Sequence, residues 1–296
     1  HGGQKGRFFH GYYKSYCYLP LYCFCGDIPL WAELREANID AAKGTLQALQ
    51  HIVTKIRARL GKKVTIIVRA DSGFCRDAIL TWIEKQRGVH YVIGLAKNAV
   101  LKKRLAPTYE THLHEKLGKD TYEQLVLEAR EKKQKQPQLP DELEYKAYAE
   151  LRYRTKKSWS RERRVVGKAA ITKGKVNPRF IVTDITGEED WAREDATFQS
   201  GQQIYEDYYC ARGDMENRIK EQQMDMFADR TSTSKMASNQ LRVWFSVMAH
   251  LVMNRLKACV LKGTELERAT IGQIRLKLFK IAVRIKVSVR RVVLKF

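Results

Sequence analysis

Two groups of residues, far apart in the chain, have the types and spacing that could hold a cation. The first is Asp71, which follows Val64-Thr-Ile-Ile-Val-Arg-Ala70 and opens Asp-Ser-Gly. Val64, Ile66, Ile67 and Val68 form a β-branched run that reads as a buried strand, and Asp71-Ser72-Gly73 reads as the turn that ends it. Ile79, Trp82 and Ile83 then recur at helical spacing. A carboxylate at the carboxyl end of a central strand stands where α/β sheets place ligand-handling residues. On this stretch alone Asp71 is either a turn-former and helix cap or a metal ligand. The second group is Tyr209, Arg212 and Glu216. Steps of three and four put them on one face of a helix read from Ser200 to about Phe227, with Tyr205 and Ile219 extending the stripe. A charged pair inside an apolar stripe costs free energy unless it is paired or binds a cation. A surface ion pair between Arg212 and Glu216 is the plainer alternative. Gly213 weakens the helix by about 1 kcal/mol relative to alanine, which leaves open a helix starting at Asp214.

The partner that such groups would meet is indicated by charge. The 296 residues carry 55 Lys+Arg against 33 Asp+Glu, a formal net charge of +22. A surplus of that size favours a polyanion through phosphate neutralisation and counterion release. Nucleic acid is the first candidate and an anionic membrane surface the second. No signal peptide and no apolar run long enough to span a bilayer is present, and no amphipathic anchor stands apart from core helices. The six cysteines fit no zinc template, since Cys23-x-Cys25 has the wrong gap and lacks a second pair. Alternation puts Cys17, Cys23 and Cys25 on one strand face, which reads as buried thiols in a reducing cytosol.

The elements that must position these groups follow from periodicity. Aromatics from Phe8 to Phe24, then Gly26-Asp27 and Ile28 to Leu34, read as an antiparallel hairpin. Asn38 or Asp40 caps a helix to about Leu60, with Leu46, Leu49, Ile52, Val53 and Ile56 as its buried stripe. The Asp71 strand, its helix and a buried strand Tyr91–Leu95 complete a mixed α/β sheet with helices on its faces. From 98 to 199 the character changes. Helical or mixed segments, Lys102 to Leu117 and Thr121 to Lys133, lead through a linker at Gln134–Pro140 to alternating segments Ala147–Arg154, Arg164–Thr172 and Arg179–Ile185. This reads as an inserted, basic, mostly β subdomain. Residues 200–296 then hold the Glu216 helix, helices Asn239–Leu261 and Thr270–Ile281, and a strand Val283–Val289 with one basic face.

Asp71-Ser-Gly followed by a helix, a strand at Tyr91, a long β insertion, and Tyr-x2-Arg-x3-Glu at Tyr209, Arg212 and Glu216 resembles the DDE transposases of bacterial insertion sequences, in the branch called DDE group 1. Arg7-Phe-Phe-His-Gly-Tyr-Tyr13 and Tyr18-Leu-Pro-Leu-Tyr22 also resemble that branch. The resemblance covers nearly the whole chain. It implies a ribonuclease-H-like core, with residues 1–97 as its first part, interrupted by the insertion before the catalytic Glu. It implies metal-dependent cleavage and strand transfer on double-stranded DNA, at transposon ends and then at target DNA, by a bacterial cytoplasmic, nucleoid-associated protein that dimerises in the synaptic complex. By match of motif, Asp71 would be the second acidic ligand and Glu216 the third. Tyr209 and Arg212 would contact the transposon-end backbone. Two Mg²⁺ (or Mn²⁺) ions roughly 3.5–4 Å apart can activate the nucleophile and stabilise the leaving oxygen. A few carboxylates from separate elements suffice to hold them.

This sequence departs from the family pattern at two places. The family's first Asp lies on an opening strand upstream of the Arg-Phe-Phe-His segment, and neither Asp27 nor Asp40 is a good substitute. The family's Lys, seven residues after the Glu, would fall on Gln223, with Lys220 nearby. The chain starts at His1 and stops at Phe296 within an apolar pattern, so both ends read as cut. The expectation is a fragment or decayed copy without the first ligand, binding metal poorly and cutting weakly or not at all. The leading reading remains the metal-dependent transposase that the resemblance implies, and the alternative is a catalytically dead transposase fragment or a domesticated relative acting only as a DNA-binding protein.

Lesser candidates lie in the insertion. Trp159, between Lys156-Lys157 and Arg161, Arg163 and Arg164, has the chemistry for stacking on an extruded base, against the plainer reading of a hairpin-tip tryptophan. The flanking cations, with Arg152, Arg154 and Lys168, read as a phosphate-facing patch or as a solvated basic face. His112-x-His114 lacks ligands to complete a metal site and reads as loop histidines. Asp184, ending the Phe180–Thr183 strand, mimics the setting of Asp71.

Overall fold

The computed structural model describes residues 4–134, 136–193, 195–280 and 284–295. In chain order, short hairpins β1 (Phe8–His10) with β2 (Ser15–Cys17) and β3 (Leu21–Cys25) with β4 (Ile28–Glu33) come first. Then follow α1 (Thr45–Leu60), β5 (Ile66–Ala70), α2 (Asp77–Glu84), β6 (Val89–Leu95), α3 (Ala99–Leu105), α4 (Pro107–Leu117) and α5 (Lys119–Glu131). Strands β7 (Tyr145–Tyr153), β8 (Arg163–Thr172) and β9 (Lys175–Thr183) lead to α6 (Gly201–Gln203), a π turn Ile204–Tyr209, a 3-10 turn Cys210–Arg212 and α7 (Gly213–Lys220). A π turn Glu221–Asp225, α8 (Met236–Cys259), α9 (Ile271–Ile274), a π turn Arg275–Phe279 and the hairpin β10 (Arg284–Ser288) with β11 (Arg291–Lys295) complete the order. The chain divides into two compact units, Asp40–Arg212 and His1–Ile39 with Gly213–Phe296.

The first unit is built on a five-stranded sheet, ordered β5-β6-β9-β8-β7, with β5 and β6 parallel and the other neighbours antiparallel. The α1–β5–α2–β6 run is a crossover of the kind that parallel pairing demands. Side chains alternate across the sheet. Val89, Tyr91, Ile93, Val165, Ala169 and Val182 face α1, α2 and α3 through Leu49, Val53, Ile79, Leu80, Ile83, Leu101 and Leu105. Val92, Val166 and Ile181 pack on the other face against Phe198, Ile204 and Tyr205. Both faces are therefore covered, which accounts for the near-continuous apolar runs in β6 and β8.

Residues 98–199 do not form a separate β body. β9 bonds to β6 along Val92↔Thr183 to Leu95↔Phe180, so the three late strands extend the same sheet. Three helices, α3 to α5, fill the first part of this region, and His112 and His114 lie on α4 instead of in a loop. His112 stacks on Tyr145 at 3.9 Å and His114 lies against Tyr122. The Gln134–Pro140 segment, of which Lys135 lies outside the described residues, is anchored: Leu139 is buried and its N–H donates to the Gly174 carbonyl. The first helix starts later than its cap signals suggested, at Thr45. Asp40 instead accepts the Ala42 N–H at 2.7 Å and pairs with Arg76 at 2.8 Å.

In the second unit the N-terminal aromatic stretch forms two hairpins, not one, and β3 carries a bulge between Cys23 and Phe24. Cys17 stands on a different strand from Cys23, and Cys25 is exposed, so the three thiols do not share a buried face. Burial pushes the Cys23 thiol up to about 11. Val283 and Ile281, the ends of two expected elements, lie outside the described residues. Among the described residues no helix is long and apolar enough to cross a membrane.

Candidate active site

Strand β5 delivers Asp71 to the carboxyl end of the sheet. Its backbone is extended, and its carboxylate caps the 3-10 turn Ser72–Phe74: Oδ1 accepts the Gly73 N–H at 2.8 Å. The capping and ligand readings are compatible, because Oδ2 has no hydrogen-bond partner among the described residues and the side chain is exposed. Gly73 suits this turn, since a Cβ there would sit 3.0 Å from Oδ1.

The segment Gly201–Arg212 brings two more of the sequence-derived residues to the same end of the sheet. Ile204 and Tyr205 are buried on it, and Arg69 of β5 fixes it by donating to the Tyr208 carbonyl at 2.6 Å with its guanidinium 5.0 Å from the Tyr208 ring. Position 94 on β6 is a glycine because a Cβ there would strike the Tyr209 hydroxyl and lie 2.9 Å from the Ser72 nitrogen. The Tyr209 phenol thus rests over the start of the Asp71 turn. Burial pushes its pKa up; nearby Arg212 opposes that shift and Asp71 adds to it. The guanidinium of Arg212 lies 5.9 Å from the Tyr209 ring, so these two share a face as their spacing predicts. The local helix is irregular, a π turn followed by a 3-10 turn, and in the 3-10 turn residues three apart eclipse.

A cleft of about 380 Å³ opens here, between Ser72, Gly94 and Lys97 on one side and Arg179, Tyr209 and Arg212 on the other. Neither Lys97 nor Arg179 was apparent from sequence spacing. They lie 82 positions apart and are juxtaposed only by the β6–β9 pairing. Glu216 and Lys220 lie on α7, in the second compact unit, where both are exposed. Within the first unit the structure brings together Asp71, Tyr209 and Arg212.

The basic residues of the insertion divide into two sets. Trp159 is 5% exposed and packs edge-on against Tyr153 at 5.7 Å. Arg163, 3% exposed, lies 5.2 Å over the Trp159 ring. It donates to Glu84 at 2.7 Å and to Asp77 at 2.7 Å. Against the upward push of burial, hydrogen bonds from Arg163, Arg161 and Tyr91 hold the Glu84 carboxyl below its usual range. Trp159 and Arg163 consequently present no face to a base or a phosphate; they pin β8 to α2. Arg161 also pairs with Glu84, at 2.9 Å, and Arg164 pairs with Glu150 at 2.7 Å. Lys156 and Lys157 are exposed in the turn. Asp184 has a structural role: it accepts the Tyr91 N–H at 2.8 Å and lies 3.2 Å from His90.

A mixed sheet with helices on both faces is consistent with the ribonuclease-H-like arrangement of α/β layers, although β5, which carries Asp71 at its carboxyl end, is an edge strand of the described sheet and not the central strand expected from its apolar run. Within that class, the chain matches the family model "Transposase DDE domain group 1" over residues 1–296 and belongs to that family. No curated protein and no solved structure matches it.

Proposed function

We propose that the protein cuts DNA at the ends of an insertion sequence and transfers the freed strand to target DNA, with Asp71 and Glu216 as acidic ligands of a divalent cation. The observation that carries this reading is the open carboxylate oxygen of Asp71 at the end of β5, beside a basic cleft, in a chain of the DDE family. The donor chemistry fits Mg²⁺ or Mn²⁺, hard cations that take oxygen ligands. Among the described residues no three His, Cys, Asp or Glu side chains converge as a cage, so the protein oxygens would share the coordination shell with water and DNA phosphate, as is usual for Mg²⁺. Such an ion, when bound, supplies an activated water and stabilises the leaving 3′ oxygen.

The chain's own residues have separable tasks in this reading. Asp71 is held by the Gly73 N–H, so one oxygen is fixed and the other is offered. Arg212 and Tyr209 hold a backbone phosphate next to the scissile one, and Lys220, Lys156 and Lys157 add further phosphate contacts. Glu216 completes the acidic pair, and a second copy joins in a synaptic dimer at the bacterial nucleoid.

A nicking assay on supercoiled DNA with Mg²⁺ or Mn²⁺ tests this. Cutting that disappears in both Asp71→Ala and Glu216→Gln, with DNA affinity retained, is the expected result. An unsubstituted protein that binds DNA but never nicks it would replace this reading with that of a DNA-binding relative.

A further inference from the structure

The insertion carries cations whose placement is unfavourable for the protein alone. Lys168 on β8 and Arg179 on β9 are direct cross-strand partners, and Tyr148 on β7 lies opposite Lys168 in the next register, so the three share one sheet face. Like charges directly opposite across a ladder are destabilising. The ammonium of Lys168 lies 5.5 Å from the Tyr205 ring and 5.9 Å from the Tyr148 ring. Burial, then the positive charges of Lys146 and Arg179, pull its pKa below the usual lysine value. Glu206, which accepts from the Tyr148 hydroxyl, is already engaged by Lys146. Among the described residues the side chains of Lys97, Lys168 and Arg179 have no ion pair or hydrogen bond. A partly desolvated cation held beside another cation, without a carboxylate, is a position completed by an external anion.

The row has a direction. Arg179 lines the cleft that also holds Ser72, Gly94, Lys97 and Arg212, so the cations run from the turn of Asp71 outward across β9 and β8. We propose that Lys97, Arg179 and Lys168 form a track for successive phosphates of one DNA strand leaving the Asp71 cleft, with the Tyr148 and Tyr205 rings flanking its outer end. This rests on the reading of DNA as substrate and adds the path that the strand takes. It also adds a second phosphate-facing row, in the middle of β8 and β9, to Lys156 and Lys157 of the Trp159 turn.

The test is the salt dependence of binding to a fluorescein-labelled duplex of random sequence, by anisotropy in EDTA. Each phosphate contact contributes a slope of about −0.9 in log K against log salt. Lys97→Ala and Arg179→Ala, both at exposed positions, should each flatten the slope by about 0.9, and adding Lys168→Ala should bring the total loss to about 2–3. Lys62→Ala/Lys63→Ala, an exposed pair at the other end of β5 from Asp71, should leave it unchanged. Unaltered slopes in the two exposed single variants, or an equal loss per cation in the Lys62/Lys63 control, would overturn the track. The slope is read in EDTA and the catalytic assignment by nicking in Mg²⁺, so failure of one and failure of the other give different results.

Discussion

The Tyr209 hydroxyl fills the space that a side chain on Gly94 would need. Gly94 is therefore a glycine for room, not for an unusual backbone angle. Its Cβ would also lie 2.9 Å from the Ser72 nitrogen and 3.2 Å from the Asp71 carbonyl carbon, so the absence of one side chain lets the Tyr209 segment and the Asp71 turn close on the end of β6. Gly94→Ala should destabilise the fold by about 1–3 kcal/mol, the usual cost of overpacking. Urea unfolding with an unchanged m value would report it. Tyr209→Phe in the Gly94→Ala background removes one of the two obstructing atoms and should recover part of the loss. The remainder belongs to the backbone at Ser72, which cannot move without shifting Asp71. A Gly94→Ala protein as stable as the parent, with unaltered DNA affinity, would show that the close approach is dispensable.

Arg163 is a cation inside the protein, and its removal leaves Glu84 with only Arg161 and the Tyr91 hydroxyl and Asp77 with only Ser160. Arg163→Met should cost about 3–5 kcal/mol at neutral pH, the range for breaking a buried pair from one side. The effect depends on pH in a defined sense. Glu84 and Asp77 are held below their ordinary values of 4.5 and 3.8 in the folded protein. Their contribution is complete above those values and is lost as pH falls through the lower folded ones. In Arg163→Met the buried Glu84 would instead favour its neutral form. The stability gap between parent and variant should thus narrow as pH drops from 7 toward 4. Urea midpoints at several pH values measure it, and a constant gap would contradict the assignment.

The parts of the site that were legible in the sequence are those that a single element encodes. Val64 to Asp71 reads as strand and turn because β-branched burial and Asp-Ser-Gly are local signals, and Tyr91–Leu95 is legible for the same reason. Tyr209 and Arg212 share a face because three residues apart is one face in an α-helix and in a 3-10 turn alike. What was not legible depends on pairing between strands. Nothing local to Lys97 or Arg179 indicates that β6 bonds to β9, and the same pairing turns an expected separate subdomain into an extension of the core sheet. Trp159 misled for a related reason. A tryptophan among lysines and arginines has the composition of a nucleic-acid contact, but Glu84 and Asp77, about eighty residues earlier, claim the arginines and draw the ring inside. Charge runs report only the balance along the chain, whereas the exposure of each charge is decided by acids that fold against it.

A last case concerns a histidine that the chemistry does not use. Asn239, Val243, Ser246, His250 and Met253 form the buried stripe of α8, so His250 occupies an apolar position by its spacing. It is 0% exposed and lies 6.0 Å from the Phe24 ring. Burial pulls its pKa below the ordinary 6.5, with Glu221 opposing and Arg218 reinforcing that shift. The folded state therefore prefers the neutral ring, and the sign follows: the stability it contributes is present above about 6.5 and is lost as pH falls through the lower folded pKa. His250→Leu keeps an apolar side chain at that position and removes the titration. The parent should lose more stability than His250→Leu between pH 7 and pH 5, while the other histidines contribute equally to both proteins. Urea midpoints across that interval decide the matter, since parallel pH profiles would mean that His250 charges freely in the folded state and that its burial exerts no such pull.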